Sequence, residues 1–229
     1  MSLRNFTLTT VELLSLLRAL GAKTMLGLPL NPYEGVLVPP PPPLSELDQT
    51  LVWMLRICAE CAASLVINHR KAGGEEVWQA WHRQPELSER VVQYTQLSPD
   101  SHRFHLLEYP EEILEIIDKH LPDRILPPCD TPITLSQQDI LALRDTSLWP
   151  VEGLPHESPL RLALGENGHH IWLSSVHYAS KQSYVASYLH SSGYIWLVED
   201  VSEGTCFTPL NNRKLNAYVR GMVEAFISW

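Results

Sequence analysis

Two stretches of this chain spell one pattern: Thr7–Leu16 reads TLTTVELLSL, and Thr134–Leu143 reads TLSQQDILAL, 127 residues further on. Hydroxyl, acidic and apolar positions coincide along both. Gly27-Leu28-Pro29 is matched by Gly153-Leu154-Pro155 at a displacement of 126 residues. Self-similarity at one displacement is the signature of duplication, and it decides the fold before any motif does. Each copy opens as a helix. Thr9-x-x-Glu12 and Ser136-x-x-Asp139 read as capping boxes, in which the hydroxyl accepts from an orphan amide and the acid reaches back. Leu13, Leu16, Leu17 and Leu20 in one copy, and Ile140, Leu141 and Leu143 in the other, form the buried stripe.

Downstream the copies stay in step. Ala62–Arg70 (AASLVINHR) corresponds to His169–His177 (HHIWLSSVH), and Glu75–Gln84 (EEVWQAWHRQ) to Lys181–His190 (KQSYVASYLH). Leu87–Thr95 faces Gly193–Val201, and His102–Tyr109 faces Gly204–Asn211. These segments are short, rich in Val, Ile, Tyr and Trp, and punctuated by Lys71-Ala72-Gly73-Gly74 and Ser191-Ser192-Gly193, so they read as antiparallel strands joined by hairpins. Each half closes on a helix. The first begins near Pro110 with Glu111 and Glu112 and ends in Lys119 and His120, a charge order that suits the helix dipole. The second begins at Asn211 or Asn212 and puts Leu215, Tyr218, Val219, Met222, Val223 and Phe226 on one face. Ser45–Ala59 reads as a further helix, with Pro159–Leu164 as its shorter counterpart.

The expected fold is α+β: two pseudo-repeats of helix, helix, antiparallel strands and helix. They pack as one pseudo-two-fold body with a central antiparallel sheet and flanking helices, because a single unit would leave a sheet face and its edges uncovered. The halves are 1–126 and 127–229, the first carrying a Pro-rich insertion at 31–44. Pro39–Pro43 hold a polyproline II conformation that cannot join helix or sheet ladders. They are read as a stiff surface connector, with a ligand for a proline-reading domain as the sharper alternative.

Composition excludes whole classes of partner. The 229 residues hold 17 Lys and Arg against 26 Asp and Glu, a formal net charge of −9. Both halves are acidic and no basic run occurs, so nucleic acid and anionic membranes are poor partners. The most apolar stretch, Leu51–Ile67, contains Arg56 and Glu60 and is shorter than a bilayer requires. The opening residues lack the pattern of an export signal, and four cysteines imply reduced thiols rather than a disulfide framework, so a cytoplasmic location is expected.

Chemical motifs are sparse. Cys58-x-x-Cys61 finds its only plausible complement in His102-x-x-His105, far outside zinc-finger spacing. Among the ten histidines, His169, His170 and His177 lie on one strand. Neighbours in a strand point to opposite faces, and His169 and His177 are too far apart for one ion, so no metal or cofactor is expected. No nucleophile elbow, S-x-x-K or phosphate-binding glycine loop occurs, and no catalytic residue is assigned. Aromatic residues do alternate on the strands. Trp78, Trp172, Tyr184, Tyr188, Tyr194 and Trp196 are the candidate protein-binding residues, amphipathic rings suited to a docking face or, alternatively, to the core beneath helices.

The order of elements resembles the EspG family, the cytosolic chaperones of type VII secretion. The resemblance rests on Thr7–Leu20 (TLTTVELLSLLRAL) and on Leu160–Tyr178 (LRLALGENGHHIWLSSVHY), with its apolar segment, polar turn, His-Trp and apolar strand. The chain is short for that family and adds the proline insertion. The resemblance implies a non-enzymatic adaptor or chaperone that holds a helical secretion substrate in the cytosol, with no contact residue carried over. The alternatives are an enzyme or small-molecule binder using a cleft between the halves, with histidines as its polar groups, and a homodimer built on the aromatic face.

Overall fold

The computed structural model describes residues 5–22, 38–122, 125–126, 131–144, 154, 158–165 and 168–228. The Gly-Leu-Pro pairs and most of the insertion before Val38 lie outside these residues, apart from Leu154. The described part of the first half runs β1 (Asn5–Thr9), α1 (Thr10–Ala19), α2 (Gln49–Ala59), β2 (Ala63–Arg70), β3 (Glu76–Gln84), β4 (Ser88–Ser98), β5 (Ser101–Leu106) and α3 (Glu112–Asp118). The second runs β6 (Ile133–Leu135), α4 (Gln137–Arg144), α5 (Pro159–Leu164), β7 (His169–His177), β8 (Gln182–Ser191), β9 (Tyr194–Val201), β10 (Gly204–Pro209) and α6 (Asn212–Ser228).

The chain is an α+β protein built on one ten-stranded antiparallel sheet, in the order β1-β5-β4-β3-β2-β7-β8-β9-β10-β6. β2 and β7 meet at the middle, in register from Ala63 opposite His177 to Arg70 opposite His170. On either side of that seam the strands follow the same internal order. The opening segments are not purely helical as the sequence suggests. A strand precedes each first helix: β1 pairs with β5, and β6 with β10, so each edge of the sheet is closed by the segment just ahead of a cap. The caps themselves form. Thr9 and Glu12 make a reciprocal capping box, and the Ser136 hydroxyl and amide both engage Asp139; such a cap stabilises a helix by about 1 kcal/mol.

Pro39–Pro43 lie outside helix and strand, and a single 3-10 turn at Leu44–Glu46 leads into α2, whose cap is Asp48.

Three apolar clusters hold the sheet. On one face, α3 and α6 cover the centre: Ile113, Ile117, Leu215, Val219, Met222 and Phe226 pack on Leu65, Ile67, Trp81, Ile171, Leu173 and Tyr188. On the other face, α1 and α2 cover β2 to β5 around Met54, Leu55, Tyr94 and Phe104. At the far end of that second face, α5 covers Leu189, Trp196 and Phe207. α2 lies against β3 and β4, and α5 against β8, and among the described residues Trp172 and Val185 on this face stay open to solvent.

One glycine fixes the sheet edge. Gly204 has φ +145°, and a Cβ there would lie 2.2 Å from the Leu135 carbonyl oxygen on β6. Neither backbone can yield without parting the two strands. Gly204→Ala is expected to destabilise the protein by on the order of 2 kcal/mol or more and to unprotect the β6 amides in hydrogen exchange; native-like protection of β6 in that variant would contradict this packing.

Candidate functional site

The β2–β7 seam gathers histidines that are distant in sequence. His69 sits near the end of β2, on the face covered by α3 and α6, because alternation from Leu65 and Ile67 puts it there. His169 opens β7, and His190 is its direct cross-strand partner on β8. His120 follows the C-terminal end of α3 and closes over the group. His69 Nε2 is 3.1 Å from His169 Nδ1, and His69 Nδ1 is 3.2 Å from His120 Nδ1. The His169 and His190 rings stack with centroids 4.5 Å apart. One ring nitrogen from each of His69, His169 and His190 lies within 4.8 Å of the others.

All four rings are held neutral at pH 7. Burial pushes His69 down to about 4, reinforced by His120, His169 and Lys71, with Glu75 opposing. Burial also pushes His190 down to about 3, helped by His169, His69 and His170. His120 and His169 shift downward for the same reason, with Lys71 adding to both. Lys71 is itself paired with Glu75 at 2.9 Å across the β2–β3 turn.

The hydrogen bonds order the tautomers. His120 Nε2 faces Oε1 of Gln79 at 3.3 Å, so that nitrogen donates. A neutral imidazole has a single N–H, so His120 Nδ1 must accept, and His69 Nδ1–H donates to it. His69 Nε2 is thereby left as a bare lone pair aimed at His169. His190 Nε2 is buried without a hydrogen-bond partner.

Sequence reasoning compared His169 with the wrong residues. His170 lies on the opposite face beside Arg70, and His177 is at the other end of β7, bonded to Ser180. The true neighbours come from other strands and from α3, and nothing in local spacing announces them. Strand order supplies them, since the end of β2 and the start of β7 meet only when the halves join at that seam. On the reverse face of the same end, Arg70, Lys71, Gly73, Gly74, Gly168 and His170 line an open cleft of about 620 Å³.

The paired cysteines are placed differently. Cys58 and Cys61 are both buried at the end of α2. Burial raises the Cys58 thiol, and it pushes Cys61 up to about 12, so neither supplies a thiolate near neutrality. His102 and His105 point to opposite faces of β5, and His102 is engaged by Thr10 and Tyr94 at 2.9 Å each.

The aromatic candidates divide between the two faces of the sheet. Register places Trp78, Trp172, Tyr194 and Trp196 on the face of α2 and α5, and Tyr184 and Tyr188 on the face of α3 and α6. They therefore do not make one docking surface. Tyr188 and Trp196 are each 1% exposed and offer a partner nothing, because α6 covers one and α5 the other. Trp78 and Tyr194 are half-buried against the flanking clusters. Trp172 at 39% and Tyr184 at 51% remain open to solvent.

No family model matches this chain, and no curated protein matches it in sequence.

Proposed function

We propose that the chain is a non-enzymatic protein-binding adaptor or chaperone of EspG-like architecture, holding a helical, secretion-substrate-like partner in the cytosol. The observation that carries this reading is the open middle of the α2 and α5 face. There Trp172 and Val185, the latter 71% exposed, stand on adjacent central strands and are open to solvent among the described residues. Apolar side chains on a sheet centre are ordinarily covered, and an exposed group of them marks an interaction surface. Asn68, Ser174 and Ser187 beside them supply a polar rim. The equal strand order on either side of the seam supports a duplicated, pseudo-two-fold body. No helix among the described residues is long and apolar enough to cross a membrane.

Co-purification from the native cytosol tests the reading. Wild type is expected to recover a helical protein in stoichiometric amount, while Trp172→Glu and Val185→Glu lose it by tenfold or more with unchanged melting temperature. A chain that elutes alone as a monomer, or a partner retained by both variants, overturns it.

A second reading, an enzyme or small-molecule binder, is favoured by one observation. The histidine cluster draws His69 and His120 from the first half and His169 and His190 from the second, at the junction where a shared site would form.

A further inference from the structure

We propose that His69, His169 and His190 bind a divalent transition-metal ion, with zinc as the natural occupant, and that His120 is the outer residue that orients His69. The argument is geometric. Two nitrogens at about 2.0–2.1 Å from a tetrahedral zinc are separated by about 3.3 Å. The 3.1 Å between His69 Nε2 and His169 Nδ1 is close to one edge of such a tetrahedron. His190 brings a third ring within 4.8 Å, and its Nε2 is a buried polar atom with no partner. Leaving such an atom unpaired in the interior is costly, and coordination removes that cost. His190 stacks on His169 with ring centroids 4.5 Å apart, which keeps its ring beside the other two.

The surroundings resemble those of a ligand set more than those of a packed core. A metal-bound histidine ordinarily donates its other N–H to an outer acceptor, which fixes its tautomer. Gln79, His120 and His69 form that relay and leave the His69 Nε2 lone pair facing the site. When the ion binds, His169 gives up the hydrogen bond to His69 and carries its proton on Nε2, so no net proton need leave the cluster. Neutral imidazoles suit zinc, copper and nickel, whereas calcium and magnesium require oxygen donors that the cluster lacks. Lys71 and Lys119 are nearby cations, and Glu75 offsets Lys71. His169 is the least buried of the three, so solvent reaches the cluster from its side.

The test uses the full chain without a polyhistidine tag, freed of metal by chelator and titrated with Zn²⁺ against a competing indicator. One equivalent is expected to bind with a Kd of about 1 μM or tighter. Co²⁺ should give the intense visible bands of a four-coordinate site. His169→Ala and His190→Ala should each weaken binding by about 100-fold, and His120→Ala by about tenfold, the range seen for outer residues. His177→Ala, which alters a histidine at the other end of β7, should leave binding unchanged. Should His190→Ala fail to fold, His169→Gln keeps the comparison, because that ring is only half-buried. Wild-type binding weaker than about 100 μM, or tight binding that survives loss of His169, overturns the proposal.

Discussion

Trp196→Ala is expected to cost the protein about 3–5 kcal/mol, read as a lower denaturant midpoint at unchanged slope. The indole is 1% exposed and packs with Leu189, Phe207, Leu160 and Leu164 beneath α5. Its removal leaves a cavity that a sheet braced on both sides cannot close. Trp172 provides the control on the same face. At 39% exposure its truncation should cost less than about 1 kcal/mol. A Trp196→Ala protein as stable as wild type would show that α5 does not sit on β8 and β9 as described. The contrast also bears on function: loss of partner binding in the Trp196 variant would report unfolding, whereas loss in a Trp172 variant would report the surface.

The second large effect is acid sensitivity. Folding holds His69 and His82 at about 4 and His190 at about 3, each chiefly because burial disfavours the charged ring. In the unfolded chain these histidines take up protons from about pH 6.5. The unfolded state therefore binds more protons below that pH, and stability must fall with it. The contribution is present in full above about pH 6.5, declines as pH drops, and is lost by the time pH passes through the folded values near 4 and 3. The slope is about 1.4 kcal/mol per pH unit for each group, or about 2 kcal/mol each by pH 5. Three such groups rival the whole stability of many domains, about 5–15 kcal/mol. Urea unfolding at pH 7.5 and at pH 5 should differ accordingly, and flat stability across that interval would contradict neutral buried rings.

His82 isolates one part of this effect. It is fully buried on β3, and neither ring nitrogen has a hydrogen-bond partner. His82→Leu should remove one proton's worth of the slope without touching the histidine cluster. At pH 7 the same change should be neutral or stabilising, since it replaces two orphaned polar atoms by an apolar group.

Legibility followed the range of the interactions concerned. Both caps, the bounds of α5 and the hairpin turns could be read because a few adjacent residues decide them. β1 and β6 could not: three to five residues ahead of a cap have no periodicity of their own, and only pairing with β5 and β10 makes them strands. Burial was legible only in part. Tyr218 and Leu141 fit helical stripes yet are 48% and 57% exposed, since a stripe marks a face without marking how far its cover extends. Trp172 and Trp196 were indistinguishable as alternating aromatics, and only the position of α5 separates them.

By itself, the sequence determined the α+β class, the antiparallel hairpins, the caps of α1 and α4 and the acidic net charge, while the helix expected from Ser45 begins only at Gln49, after a separate 3-10 turn. These follow from periodicity, turn chemistry and composition, all of which act within a few residues. Tertiary structure alone decided which strands meet. Joining β2 to β7 brought His69, His120, His169 and His190 into contact across as many as 121 residues of chain. It also left Trp172 and Val185 open to solvent on the face that α2 and α5 share. Both candidate surfaces arise from long-range packing, whose free energy depends on neighbours that no local pattern can name.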